Sequence, residues 1–229
     1  ITDVTHTFQV LSVDNSTNKD PSPASFTWTV DTIAPTTIIN SAIDGNNSTI
    51  TNSSSTKSNA VMFEFSGNDT GGVGIDHLEC SLDGTSFSAC TSPVQFTSAN
   101  LLDGTHSFMV IAQDKVGNIM TTPVLFNWTV DTLPPTTAIN TAIDGNNGTL
   151  VSGNSTMSTS MTFTFSGNDR GIENNGVGIK QIECSIDNSN FTTCVSPIQY
   201  DNLTEGVHRL EVVSEDKVGN KGSIPSSFN

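Results

Sequence analysis

The chain has 229 residues, and its 8 basic against 23 acidic residues give a formal net charge of −15. A surface of this sign attracts cations and repels nucleic acid and anionic membranes, which excludes both as partners. The longest apolar runs are only as long as a strand, so this stretch contains neither a signal-peptide pattern nor a membrane-spanning run, and we predict no direct membrane insertion of this segment.

The sequence repeats itself with an offset of about 100 residues. F-T-W-T-V-D-T-I-A-P-T-T at 26–37 returns as F-N-W-T-V-D-T-L-P-P-T-T at 126–137. In each copy a strand ends, a Pro/Thr linker follows and a new strand begins; proline favours extended backbone, so the linker should be short and stiff. We therefore predict the C-terminal strand pair of a truncated repeat (1–30), a full repeat (31–130) and a second repeat lacking the end of its last strand (131–229).

Within the first full repeat, period-two alternation and turn signals predict seven short strands. The polar stretch that reaches Ser58 is predicted as a long loop, and Asp83-Gly84 as a hairpin turn. Alternation places Phe126, Trp128 and Val130 on one face, which we expect in the core. No helical periodicity occurs, so the pattern predicts an all-β fold of antiparallel β-sandwiches. The strands are expected near 37–43, 61–66, 75–82, 87–90, 93–97, 107–112 and 124–130.

The four cysteines form two matched pairs, Cys80 with Cys90 and Cys184 with Cys194. Nine residues separate the members of each pair, and the predicted hairpin places Cys80 across from Cys90. A zinc site favours closer spacing or accompanying histidines. We therefore predict one disulfide in each full repeat and an oxidising, extracellular environment.

Four sequence motifs together resemble those of a known protein family. They are F-x-F-S-G-N-D at 63–69, E-C-S-L-D-G-x-S-F-x-x-C-T-S-P at 79–93, D-G-T-H-x-F-x-V-x-A-x-D-x-x-G-N at 103–118 and W-T-V-D-T-x-P-P-T-T at 128–137. With these motifs the chain resembles the immunoglobulin-like tandem repeats of large prokaryotic, especially archaeal, cell-surface and extracellular proteins. The resemblance implies tandem immunoglobulin-like sandwiches at the cell surface. It does not select one function, because such modules are similar in spacers, adhesive stalks, cell-coat subunits and secreted enzymes.

The sequence carries no pattern of catalytic residues. A nucleophile elbow, a phosphate-binding loop and a metal-hydrolase signature are all absent from it. His6, His106 and His208 occupy one repeat position at the start of the penultimate strand, where a turn hydrogen bond is the ordinary role. We therefore expect a protein that is not an enzyme and requires no cofactor.

Calcium is the one ligand that the acidic residues suggest. In an immunoglobulin-like topology, loops from both full repeats meet at their junction, and hard cations take six to eight oxygen ligands. The alternative is that these aspartates only form turns, as D-G-N-N and D-K-V-G-N do without an ion. The predicted interdomain calcium ligands are Asp44, Asp83, Asp103, Asp131, Asp169 and Asp216.

N-x-S/T sequons are numerous, and in a secreted glycoprotein some of them would be occupied. The candidates are Asn15, Asn46, Asn47, Asn52, Asn68, Asn127, Asn147, Asn154, Asn190 and Asn202.

The expected function is structural: a segment that builds an extracellular filament, a cell coat (S-layer) or an adhesive stalk. Its partners would be neighbouring copies of the same protein or further repeats of the same chain, which would also complete the strand pair at 1–30. Two alternatives stay open. One is a spacer on a secreted enzyme, and the other is carbohydrate or receptor binding by the longer loop at 171–176.

Overall fold

The computed structural model describes residues 3–170 and 176–229, and these residues form strands and no helix. The predicted all-β class is therefore confirmed. A helix able to cross a membrane is not found in this part of the chain. Contacts divide the chain into two compact units: Ile1–Ile43, Met62–Gln95 and Ser107–Asn127 in one, Asp44–Val61, Phe96–His106 and Trp128–Asn229 in the other.

The segment before the first linker is a two-stranded antiparallel hairpin of β1 (Thr5–Val10) and β2 (Ala24–Thr29). His6 lies opposite Trp28, and Phe8 lies opposite Phe26. Phe8 is 60% exposed and Phe26 67% exposed, so this apolar face lies open to solvent.

The first full repeat is a sandwich of two sheets, with strand orders β4-β10-β9-β6-β7 and β3-β5-β8. The strands lie close to the predicted positions, because period-two alternation places one side-chain row in the core of each sheet. They are β3 (Thr36–Asp44), β4 (Ser54–Thr56), β5 (Val61–Asn68), β6 (Ile75–Leu82), β7 (Ser88–Cys90), β8 (Val94–Phe96), β9 (Gly104–Asp114) and β10 (Val124–Val130).

One strand contradicts the sequence prediction. The stretch up to Ser58 is not entirely a loop, because β4 pairs in parallel with the end of β10, with Trp128 opposite Ser54 and Val130 opposite Thr56. A three-residue polar strand shows no alternation, so only its pairing identifies it. The pairing covers part of the open edge of β10.

Stacked aromatic rings build the core of the first sandwich. The ring centroid of Phe63 lies 4.4 Å from that of Phe108, on which it stacks, and 5.2 Å from that of Phe126, which it meets edge-on. The predicted core face is confirmed, since Phe126, Trp128 and Val130 are 9%, 1% and 0% exposed.

The second full repeat forms sheets of order β11-β12-β15 and β14-β13-β16-β17. Phe163, Phe165, Leu210 and Val212 lie at the centre of its core. The strands are β11 (Thr136–Asp144), β12 (Met161–Asn168), β13 (Ile179–Ile186), β14 (Thr192–Thr193), β15 (Ile198–Tyr200), β16 (Leu210–Asp216) and β17 (Ser226–Phe228).

Both predicted disulfides are present, Cys80–Cys90 and Cys184–Cys194, each with 5.8 Å between its Cα atoms. The first joins β6 to β7 within the predicted hairpin, but the expectation that Cys80 lies across from Cys90 is wrong, since the strand register pairs Cys80 with Ser88 and Cys90 with Leu78. Asp83 and Gly84 both have positive φ, 51° and 72°, as the two central residues of a type I′ turn require, and the Thr85 N–H donates to the Leu82 carbonyl at 3.0 Å.

Candidate functional site: aspartate junctions at the linkers

The linker after β10 is hydrogen-bonded to both full repeats. The Asp131 N–H donates to the Thr56 carbonyl at 2.9 Å, and the Thr132 N–H donates to Asp103 Oδ1 at 2.8 Å. From the second repeat, Asn220 Nδ2 donates to the Asp131 carbonyl at 2.8 Å. The backbone where the repeats meet is therefore fixed on both sides.

The Asp131 side chain points into the second repeat and is 1% exposed. Its Oδ2 accepts the Val177 N–H at 3.0 Å, and its Oδ1 accepts the Leu133 N–H at 3.2 Å. Backbone N–H groups thus satisfy a carboxylate that burial alone would destabilise.

Two more carboxylates follow the ends of strands in the second repeat. Asp169 comes directly after β12 and accepts the Gly178 N–H at 2.6 Å. Asp216 ends β16 and accepts the N–H groups of Val218 and Asn220, both at 2.9 Å. The D-K-V-G-N motif is therefore a turn closed by its own aspartate.

Asp131, Asp169 and Asp216 form what we call the second junction. Each offers a carboxylate oxygen, and these oxygens lie within 4.8 Å of one another. Burial raises the pKa of Asp169, and the neighbouring Asp131 and Asp216 charges raise it further. Three carboxylates at this spacing supply part of a hard-cation site, and they equally serve as acceptors for loop N–H groups.

The same arrangement occurs around the first linker, in what we call the first junction: Asp31, Asp69 and Asp114. Asp31 Oδ2 accepts the Val73 N–H at 2.9 Å, and Asn118 Nδ2 donates to the Asp31 carbonyl at 3.2 Å. Burial opposes ionisation of Asp114, but hydrogen bonds from Asn118 and the turn N–H groups outweigh it and lower its pKa.

Among the residues that the structure describes, three of the six predicted calcium ligands, Asp131, Asp169 and Asp216, form one cluster of carboxylates. The cluster does not include Asp44, Asp83 or Asp103, whose carboxylates accept nearby hydrogen bonds, and their part in calcium binding stays a prediction. Asp44 accepts the Thr56 hydroxyl at 2.6 Å, Asp83 the Ser107 N–H at 2.7 Å, and Asp103 the Thr132 N–H.

The first junction was not predicted from the sequence, although the offset between the repeats indicates it. Asp31 and Asp69 precede Asp131 and Asp169 by 100 residues, and Asp114 precedes Asp216 by 102. Applying the repeat offset to the second junction identifies the first.

Most candidate sequon asparagines are accessible. Asn127 is half-buried, and the others are exposed: Asn15, Asn46, Asn47, Asn52, Asn68, Asn147, Asn154, Asn190 and Asn202. The loop predicted to bind carbohydrate or a receptor, 171–176, lies outside the described residues except for Gly176.

This topology, with a disulfide-bonded hairpin in each repeat, defines a class: tandem immunoglobulin-like β-sandwiches. No protein-family model and no curated protein matches the chain. Among solved structures, the chain is similar to the fibronectin(III)-like modules of Clostridium thermocellum CbhA, at 15% identity and a TM-score of 0.38, over 84% of this chain and 91% of that one. It is also similar to dimeric latent PorU of Porphyromonas gingivalis, at 15% identity and a TM-score of 0.31, over 96% of this chain and 23% of PorU. Similarities at this level carry no argument about function.

Proposed function

We propose that the chain is a structural segment of an extracellular surface protein, in which consecutive sandwiches build the length of a filament, cell coat or adhesive stalk. The observation that carries the proposal is the linker at Asp131 and Thr132, which is hydrogen-bonded to Thr56 and Asp103 on one side and to Asn220 on the other. A flexible tether between independent domains has no need of such bonds.

The recurrence of this arrangement supports the same proposal. Asp31 accepts hydrogen bonds from Val73 and Asn118, just as Asp131 accepts them from Val177 and Asn220. Thr32 Oγ1 also donates to Asp3 Oδ2 at 2.8 Å. A joint that is built twice in one chain suits an array in which each repeat is fixed to the next. Disulfides in both full repeats suit an oxidising, extracellular setting.

Relaxation of backbone ¹⁵N nuclei tests the rigidity of the joint. Strand residues of the two full repeats should report one common rotational diffusion. Asn220→Ala together with Asp103→Ala should decouple them, because both removed side chains bond the linker. Asn190→Ala, at an exposed position between β13 and β14, is the control. Independent tumbling in the unmodified chain would contradict the proposal.

Electron microscopy of the native material tests the biological role. Regular filaments or a lattice are expected. Isolated rods that carry a globular head would instead indicate a spacer in an adhesin or a secreted enzyme.

A further inference from the structure

The outer face of the five-stranded sheet in the first sandwich carries an apolar patch, which we define as Met109, Ile111 and Leu125. Alternation turns these side chains away from the core, because residues that alternate with them, such as Val110 and Phe126, are buried. Leu125 is 47% exposed, Ile111 is 8% exposed and Met109 is half-buried. Apolar side chains grouped on an exposed sheet face mark a surface that another group covers.

Strand register brings Met109 and Leu125 together. β9 and β10 are neighbours in their sheet, as are their counterparts β16 and β17, whose sequences match them at an offset of 102 residues. In the second repeat, Glu211 lies opposite Ser227. The same register sets Met109 opposite Leu125 in the first repeat, with Asn127 two residues further along β10 on the same face.

The corresponding face of the second repeat is charged. Glu211, which occupies the position of Met109, pairs with Arg209 at 2.8 Å. Next along this face, Lys221 pairs with Glu183. Methionine cannot form such a pair, so this part of the first repeat is left apolar.

Asn127 borders the apolar patch and begins the sequon Asn-Trp-Thr. The structure describes all ten candidate sequon asparagines, and Asn127 is the one that lies inside a strand; Asn68 ends β5, and the other eight lie outside the strands. Its neighbours on either side along β10 are buried in the core, so its own side chain leaves the sheet on the side of the patch. A group attached to its amide nitrogen is therefore held against Met109 and Leu125.

We infer that Asn127 carries an N-linked oligosaccharide whose first sugars cover Met109 and Leu125. The donor is an oligosaccharide held through its anomeric carbon on a phosphate-linked carrier, and a glycosyltransferase catalyses the transfer. A bond forms between Asn127 Nδ2 and the anomeric carbon, and the bond from that carbon to the phosphate oxygen breaks. The phosphate leaves with the electron pair of the broken bond, and the amide nitrogen gives up one proton.

Sugars suit this surface because one face of a pyranose ring is lined with C–H groups while its rim carries hydroxyls. The C–H face removes apolar side chains from water, and the hydroxyls stay hydrated. The net charge of −15 makes a second copy of the chain a poorer occupant, because two acidic chains repel each other. The inference rests on the extracellular setting of the proposed function and not on its structural role.

Peptide mass spectrometry of the chain from its native source is the first test. The peptide that contains Asn127 should carry the mass of an oligosaccharide. In the native host, Thr129→Ser keeps the sequon and should keep the oligosaccharide, whereas Thr129→Ala removes the sequon and should abolish it. An Asn127 that is bare in native filaments would overturn the inference and leave the structural role intact.

Methionine oxidation tests whether the sugars cover the patch. With hydrogen peroxide, Met109 of the native chain should form sulfoxide about threefold or more slowly than Met109 of the same chain made in a host without N-glycosylation, because oxidation follows exposure. Met62 is half-buried like Met109 but lies on β5 of the other sheet, and it should oxidise equally in both.

Two oxidation results would overturn the inference. Equal rates at Met109 in the two chains would mean that the sugars leave the patch open. Protection of Met109 in the unglycosylated chain that grows with protein concentration would mean that a second copy covers the patch.

Discussion

Phe63 is the residue on which the first sandwich core most depends. It is fully buried, stacks on Phe108 and meets Phe126 edge-on. Phe63→Ala removes these contacts and leaves a cavity, so the free energy of unfolding should fall by about 3–5 kcal/mol. Urea denaturation followed by circular dichroism measures the loss. Phe26→Ala, in the open hairpin, is the matched control and should cost little; equal losses would contradict the assigned core.

His208 makes the stability of its turn depend on pH. Its Nε2–H donates to the Thr204 carbonyl at 2.8 Å, and its Nδ1 lies 2.7 Å from Asp187 Oδ2. Both contacts favour the imidazolium and raise the pKa of His208 above 6.5. The hydrogen bond to Thr204 makes the larger contribution, and the one to Asp187 the smaller. A raised folded-state pKa gives stability that is complete below pH 6.5 and is lost as pH rises through the folded value.

NMR titration of the histidine Cε1 protons measures this pKa directly. Amide exchange in the turn before β16 should accelerate as pH rises through the raised value, after correction for intrinsic exchange. His208→Gln keeps a donor near Thr204 but cannot titrate, and should abolish this dependence. A His208 pKa at or below 6.5 would contradict the geometry.

Sequence reasoning succeeded for residues whose position follows from strand alternation. Phe126, Trp128 and Val130 are buried as expected, and the Asp83-Gly84 turn brings Cys80 and Cys90 together. Alternation gives no such information for the turn aspartates, because the direction of a short polar side chain depends on the hydrogen-bond donors around it.

Two features of the fold, β4 and the aspartate junctions, depend on tertiary contacts and not on the local sequence pattern. Ser54–Thr56 has no apolar alternation, and it becomes a strand only because β10 leaves an edge beside it. The junctions likewise depend on tertiary structure, since Asp131, Asp169 and Asp216 are far apart in sequence. Local propensity cannot determine either feature.

Calcium binding at the second junction stays a prediction. If the carboxylates of Asp131, Asp169 and Asp216 bind calcium, millimolar CaCl₂ should raise the melting temperature more than NaCl of equal ionic strength, because bound ligand stabilises the folded state. Differential scanning calorimetry measures the difference.

Matched variants locate any calcium effect. Asp169→Asn keeps the shape of the side chain and removes one charge from the second junction, so it should weaken the calcium-specific increase. Asp83→Asn, whose carboxylate lies at the β6–β7 hairpin, should leave it intact. Identical melting in CaCl₂ and matched NaCl would leave the aspartates as turn formers only.

At the scale of the whole molecule, charge is the property that the sequence determines most directly. The chain has 8 basic residues against 23 acidic ones. Lys180 pairs with Glu215 at 2.7 Å, Arg209 with Glu211 at 2.8 Å, and Lys221 with Glu183. Such surface pairs contribute only about 0–1 kcal/mol each, so repulsion among the remaining carboxylates dominates.

Because repulsion among the carboxylates outweighs the attraction within the ion pairs, we predict that monovalent salt stabilises the protein. At 0.1 M salt the screening length is about 10 Å and at 1 M about 3 Å, so added salt weakens repulsion between distant carboxylates more than attraction within close pairs. Raising NaCl from low concentration to 0.5 M should therefore increase the melting temperature by about 2–5 °C, the size of change that less than 1 kcal/mol produces in a domain of this size. KCl should act equally, since screening does not depend on which monovalent cation is present. A melting temperature that falls with salt would mean that the ion pairs on β13 and β16 outweigh the net charge of −15.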